Sequence, residues 1–243
     1  MNPTPAATIV MPFLNEEAAL KHLLSTTPAD FALVLVDNGS SDASRRLVLD
    51  SSAVLLDHDR FREVGACIEL GVARAQTDVV CVMDCDATVD MSDTRQLLRP
   101  VLTNEADFVV GTRASHSAGW TLAHRASSRV RDSLTRRVVP DWPFVDLGSA
   151  RAFRRSAIDW SRAFNTRFGW NLDFTVQALE SLSPDRIASV ELPFHRRLGP
   201  SHISGSIAGA LTAMVDQSRV LRLAQQRTKV ARHESHNKSI ALV

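Results

Sequence analysis

The run Val79-Val80-Cys81-Val82-Met83, followed directly by Asp84-Cys85-Asp86, constrains this chain more than any other stretch. A short, purely apolar run reads as a buried strand of a parallel sheet. This one ends abruptly in two carboxylates. Side chains two apart in an extended chain point the same way, so Asp84 and Asp86 can converge on one point. That point lies beyond the carboxyl end of a strand, where open α/β sheets bind ligands. Oxygen ligands at so tight a spacing suit Mg²⁺ or Mn²⁺, shared with substrate phosphates, better than zinc.

The flanking chain repeats the strand–helix alternation. Ala7 to Met11 reads as a first strand stopped by Pro12, and Asn15 as the N-cap of a helix through about Leu24. Phe31 to Val36 is a second strand, closed by the turn cluster Asp37-Asn38-Gly39-Ser40-Ser41-Asp42. There Ser41 or Asp42 is positioned to cap the next helix. A short strand at Ala53–Leu56 and a helix at Glu63–Ala75 precede the Asp84/Asp86 strand. A helix around Ser92–Val101 and a strand at Asp107–Val110 follow it. This order predicts a parallel, Rossmann-like sheet. The first loop, Pro12-Phe13-Leu14-Asn15-Glu16-Glu17, is neither Gly-x-Gly-x-x-Gly nor a Walker loop, which favours a metal-borne phosphate over a glycine-rich cradle.

The second half changes character. An Arg-rich amphipathic stretch spans Trp120–Val139, and a helix opens at Gly169-Trp170 and runs to about Leu182. Val190–Phe194 reads as a last strand entering the basic turn His195-Arg196-Arg197. A final helix is expected from Ser204 to about Gln226, with a loose tail over 229–243. Its apolar stripe and flanking arginines fit packing on the domain or in a homodimer better than peripheral contact with an anionic membrane.

Composition narrows the function. At 243 residues and 44% hydrophobic, the chain suffices for one α/β domain, here 1–228, whose strand–helix alternation over 7–113 gives way to the different second half at 114–228. A net charge of +1 carries no broad basic field and argues against nucleic acid as a partner. Three cysteines, two of them at the buried strand, read as reduced cytosolic thiols. With no signal-like segment and no apolar run near the ~18 residues of a membrane span, the expected location is cytoplasmic, at most peripheral to the membrane.

Seven motifs in order resemble the family 2 glycosyltransferases of GT-A fold, and within them the dolichol- or polyprenyl-phosphate sugar synthase branch. They are Met11–Glu17, Val36–Asp42, Met83–Asp86, Val110-Gly111-Thr112-Arg113, Asp146-Leu147-Gly148, Gly169–Asp173 and Arg196–Gly205. The resemblance implies a mostly parallel sheet flanked by helices, an acceptor-side helical region and a C-terminal helix. It implies a nucleotide-sugar-binding half at 7–113 and an acceptor half at 114–228, with a nucleoside pocket at Pro12, Phe13 and Glu16 and Asp37 accepting from the base. Asp84 would face the ribose or a metal-bound water, Asp86 would ligate Mg²⁺ or Mn²⁺, and Arg113 would add a fixed charge to the leaving diphosphate. Arg196, Arg197, Ser201 and His202 would form a phosphate-facing loop, and Asp146 and Trp170 fall on the acceptor side.

Asp173 is the expected general base. It stands where relatives most often carry Glu, and it would serve only to position an acceptor that is already a phosphate dianion. Gly199-Pro200-Ser201-His202 departs from the family's Gly-x-Ser-Lys, replacing a fixed charge with a mostly neutral one. The implied reaction is inverting transfer from a UDP- or GDP-linked sugar to a polyprenyl phosphate or a small molecule. The rival readings are a sugar nucleotidyltransferase, disfavoured by the first loop, and a non-catalytic nucleotide-sugar-binding partner protein.

Overall fold

The computed structural model describes residues 4–58, 63–114, 122–139, 141–162, 164–165, 167–200, 212 and 214–227. Seven strands, β1 (Ala7–Phe13), β2 (Phe31–Asp37), β3 (Val54–Asp57), β4 (Val79–Val82), β5 (Phe108–Arg113), β6 (Arg151–Arg154) and β7 (Ile187–Leu192), form one sheet in the order β3-β2-β1-β4-β6-β5-β7. All neighbours pair in parallel except β6, which runs antiparallel to both β4 and β5.

Alternation along the buried strands sorts their side chains to two faces. Ile9, Met11, Leu33, Leu35, Cys81 and Met83 join one core, covered by α1 (Glu17–Thr26), α2 (Ser44–Leu49) and α4 (Met91–Leu102). Val10, Val34, Val36, Val80, Val82 and Phe153 join the other, covered by α3 (Val64–Ala73) and α6 (Trp170–Ser181). A fifth helix, α5, spans Leu122–Val138, and a last one, α7, covers 214–227. Among the described residues no helix is long and apolar enough to cross a membrane. The three thiols are free and buried, and burial pushes Cys67 and Cys81 up to about 12, so neither is a thiolate at neutral pH.

Four local expectations are corrected. Pro12 does not stop the first strand, because β1 continues to Phe13 with Pro12 opposite Val36. Asn15 does not cap α1. It sits at φ 55°, and its side-chain oxygen accepts from the backbone of Ser41 and Asp42 in the neighbouring loop. The α2 cap position is Ala43, although Asp42 still accepts from the Ser44 N–H. Strand β6 was not anticipated, since its sequence Arg-Ala-Phe-Arg carries a charge at each end. Its insertion matters, because it separates β4 from β5 by two strand spacings, about 10 Å. The Asp84/Asp86 turn and Arg113 therefore face each other across a gap rather than side by side.

Candidate active site

That gap is a cavity of about 340 Å³, within the range of small-molecule sites. Asp84 and Asp86 line one side, Arg113 and Arg131 the other, and Gly148-Ser149 lie between, carried there by the segment that enters β6. The arrangement follows from the topology. Parallel β4 and β5 deliver both turns to one sheet edge, and antiparallel β6 must begin at that edge.

The carboxylate side is tightly built. Asp86 turns back on itself, with Oδ1 accepting from the Thr88 N–H at 3.0 Å and the Thr88 hydroxyl at 2.6 Å. The turn passes through Ala87 at φ 58°, a left-handed conformation that costs an alanine roughly 1 kcal/mol and is typical of functional turns. The free oxygen, Oδ2, accepts from Arg197 Nη1 at 2.9 Å, and Arg197 also ion-pairs with Glu16.

Asp84 keeps accessible surface on the cavity, yet its carboxyl stands in a dense protein surround. That desolvation, and then repulsion from Asp86, push it up to about 6, against a hydrogen bond from Ser149 and the charges of Arg197 and Arg151. Burial likewise pushes Glu16 up to about 7 despite Arg197.

The opposite side is an arginine–aspartate knot. Asp146, which is buried, accepts from the Arg113 N–H (3.1 Å), Nε (2.9 Å) and Nη2 (2.6 Å). The buried Ser128 hydroxyl on α5 donates to the same carboxylate, and Arg131, one turn further, donates to Ser128 at 2.7 Å. These partners outweigh burial and hold Asp146 down to about 2. The Arg113 guanidinium also lies 5.3 Å from the Phe194 ring centre. Arg113 thus reaches the cavity, but as one half of an ion pair whose other half is Asp146.

Beneath the knot lies Arg151, fully buried. It donates to the carbonyls of Gly148 (2.7 Å) and Ala150 (2.8 Å) and to the Thr175 hydroxyl (3.1 Å), and its Nη2 has no partner. Desolvation lowers its pKa to about 9. By gripping both carbonyls it fixes the segment whose Ser149 hydroxyl bonds Asp84.

The remaining expected residues divide. Phe13 and Asp37 end adjacent strands in register, with Pro12 one residue earlier on β1, and Asp37 is tied by Oδ1 to the Ser40 N–H at 2.9 Å, with Arg45 3.5 Å from its Oδ2. The Phe13 side chain is packed in the core. Trp170 is a core residue stacked on Phe174 at 4.5 Å, and so does not line the acceptor side of the cavity. Asp173, in the first turn of α6, is buried and is not among the residues lining the cavity, which α6 reaches through Asn171 and Leu172. Its Oδ2 accepts from the Asn165 N–H at 2.9 Å, and Arg227 of α7 stands 3.6 Å from Oδ1. Arg196 is exposed and outside the cavity lining, whereas His195 lines it and contacts Asp93 at 3.0 Å. Ser201 and His202 lie outside the described residues.

Sequence reasoning missed Ser128, Arg131, Ser149 and Asn171. For Arg131 a signal existed, since an Arg-rich amphipathic helix with a serine three residues earlier places both on one face.

The chain matches the family model described as Glycosyl transferase family 2 over residues 8–160. It belongs to that family and is a glycosyltransferase. An uncharacterized glycosyltransferase of Mycobacterium tuberculosis is 29% identical over 218 residues, covering 89% of this chain and 98% of that protein. The undecaprenyl-phosphate 4-deoxy-4-formamido-L-arabinose transferase of Pseudomonas fluorescens is 32% identical over 176 residues, covering 65% of this chain and 50% of that longer protein. Among solved structures, the glucosyl-3-phosphoglycerate synthase of M. tuberculosis in complex with Mn²⁺, UDP-glucose and phosphoglyceric acid superimposes with a TM-score of 0.69 at 19% identity, covering 88% of this chain and 79% of that one. The GT-A fold expected from the motifs is thereby established for this glycosyltransferase.

Among the described residues no group of three or more His, Cys, Asp or Glu forms a ready-made metal cage. Two carboxylates with hard oxygens are nonetheless what Mg²⁺ or Mn²⁺ needs when substrate phosphates complete the shell. Asp86 Oδ2 already holds a cationic group, the Arg197 guanidinium, and Glu16 Oε2 is buried without a partner. The donor set fits such an ion.

Proposed function

We propose that this glycosyltransferase transfers a sugar from a UDP- or GDP-linked donor, with inversion, to an acceptor that carries a phosphate. The observation that carries the reading is the polarity of the cavity: carboxylates at Asp84 and Asp86 on one side, guanidiniums at Arg113 and Arg131 on the other. The carboxylate side would hold Mg²⁺ or Mn²⁺ together with the donor diphosphate, Asp86 as ligand and Asp84 toward the ribose or a bound water. When bound, such an ion neutralises the charge that develops on the departing diphosphate without a proton. Pro12, Glu16 and Asp37 would receive the nucleoside at the ends of β1 and β2.

On the far side, Arg113 and Arg131 would orient the acceptor phosphate, held in place by Asp146 and Ser128. Attack from that side opposes the nucleotide, which is the geometry of inversion. A phosphate acceptor is already a nucleophile, so no residue need remove a proton. The burial of Asp173 supports this branch, and its role becomes one of positioning, tying α6 to the 165 backbone and to α7. Polyprenyl phosphate is the leading acceptor, with a soluble phosphorylated molecule second. The relatives with undecaprenyl-phosphate in their names favour the first and the phosphoglycerate-bound neighbour the second.

Calorimetric titration with UDP and GDP, each with and without Mn²⁺, tests the donor half of this reading. Metal-dependent binding of one nucleotide is expected. Binding of neither would overturn it and bring forward a partner protein that kept the fold.

A further inference from the structure

We infer that Arg197 serves as the internal counter-ion of the ligand-free metal site, so that the divalent ion and the donor diphosphate bind cooperatively. The inference rests on the reading of Asp86 as a metal ligand. Asp86 Oδ1 is committed to Thr88, which leaves Oδ2 for a cation, and Arg197 Nη1 holds that atom at 2.9 Å. The other terminal nitrogen of the same guanidinium pairs with Glu16. One planar group thus spans two carboxylates that belong to different loops of the sheet edge with two separate nitrogens, where lysine would bring a single one.

The segment carrying Arg197 is fastened to the very turn it neutralises. The His195 N–H donates to the Thr88 carbonyl at 2.9 Å, and the Leu198 N–H to the Asp86 carbonyl at 3.1 Å. The backbone on either side of Arg197 is thus tied to that turn, while its side chain lines the cavity and donates through Nε to the Pro200 carbonyl at 3.1 Å. Arg197 does not complete the site, since Glu16 Oε2 remains buried and unpartnered. A buried carboxylate oxygen without a donor is costly, and a second cation or a donor-bearing ligand would satisfy it.

A divalent ion arriving alone at Asp86 Oδ2 meets the guanidinium already there. It must displace Arg197 toward Asp84, the other carboxylate lining the cavity and one that the ion itself attracts, or bind beside a like charge. A diphosphate arriving with the ion removes both penalties, because it supplies anionic oxygens for Arg197 and for the metal together. Each ligand should then tighten the other by the same factor, as linkage requires.

The test is Mn²⁺ calorimetry on the full chain, with and without saturating UDP or GDP, whichever binds. The proteins compared are the wild type, Arg197→Gln and Arg197→Lys. In the wild type Mn²⁺ alone should bind weakly, and nucleotide should tighten it at least tenfold. Arg197→Gln should bind Mn²⁺ alone at least tenfold more tightly than the wild type, with the nucleotide effect reduced to a few-fold. Arg197→Lys, which keeps the charge but replaces the two-nitrogen fork with one nitrogen, should move the same way by less, and it carries the test if the glutamine variant does not fold. An unchanged affinity for Mn²⁺ alone in a folded variant would overturn the inference and leave the metal reading standing. No Mn²⁺ binding to any of the proteins, even with nucleotide, would overturn both.

Discussion

The Asp146 carboxylate takes three hydrogen bonds from Arg113, one from its backbone N–H and two from its guanidinium, so it fixes both the end of β5 and the charge that β5 presents. Its pKa falls from the ordinary 3.8 to about 2. A carboxyl whose folded value is depressed contributes stability above its unfolded value, and that contribution is lost as the pH falls through the folded one. The window here is therefore about pH 4 down to pH 2, and the contribution at neutral pH is about 2 kcal/mol. Asp146→Asn removes the buried carboxylate that takes three hydrogen bonds from Arg113 and leaves Arg131 with Asp132, 3.2 Å away, and it should cost about 3–5 kcal/mol at pH 7. Since the asparagine does not titrate, the gap to the wild type should narrow between pH 4 and pH 2. Denaturant melts at both ends of the window check this, and a gap independent of pH would mean that folding does not lower the Asp146 pKa.

Gly148 lies against the opposite strand so closely that a Cβ would stand 2.4 Å from the carbonyl oxygen of Gly111. No flexible side chain is there to give way. Gly148→Ala must push the 148–150 segment off β5, straining the Ala150 carbonyl that accepts from the Gly111 N–H at 2.9 Å. A loss of about 1–3 kcal/mol is expected, the usual scale of overpacking. Because Ser149 bonds Asp84, nucleotide affinity should fall as well. A melt that shifts with no change in nucleotide binding would separate the segment from the site.

The sheet edge was legible in the sequence because a parallel strand buried on both faces leaves little choice of residue, and Val79–Val82 with Asp84 and Asp86 says where it ends. The arginine–aspartate knot was legible only in part. Asp146 and Arg113 were visible as motif residues, but local sequence carries no record that they touch each other across 33 positions, or that Ser128 and Arg131 of a helix complete the set. Strand β6 escaped because its one buried arginine looks like a surface residue to any hydrophobic pattern. Arg151 is tolerable there only because two carbonyls and a hydroxyl, all distant from it in the unfolded chain or unremarkable beside it, converge on its head group. Asp173 illustrates the converse. An acid in a first helical turn has a stabilising place at the helix N-terminus whether or not it does chemistry.

Asp86→Ala removes the carboxylate that joins the Thr88 turn, Arg197 and the proposed metal position. Losing one preorganised electrostatic contact of this kind costs about 10² or more in rate. Single-turnover transfer from the donor should therefore slow by at least about 100-fold, and saturating Mn²⁺ should not restore it. Full activity in high Mn²⁺ would assign the ligand role to Asp84 or Glu16 instead.

Asp173→Asn distinguishes a base from a structural tie. The carboxylate accepts from the Asn165 N–H at 2.9 Å and stands 3.6 Å from Arg227, neither of which lines the cavity. Asparagine keeps one carbonyl oxygen for the Asn165 N–H but loses the charge opposite Arg227, which leaves a guanidinium of α7 without its buried partner. Hydrogen bonds to charged groups contribute about 1.5–3 kcal/mol, so a loss of stability toward the lower end of that range is expected. Nucleotide affinity should be unchanged, and turnover should fall by less than tenfold once the measurement is made well below the melting temperature. A residue that takes the acceptor's proton would behave differently, with turnover falling 10²-fold or more and stability untouched. The second pattern would place Asp173 in contact with the acceptor after a rearrangement of α6, and with it a hydroxyl acceptor in place of a phosphate.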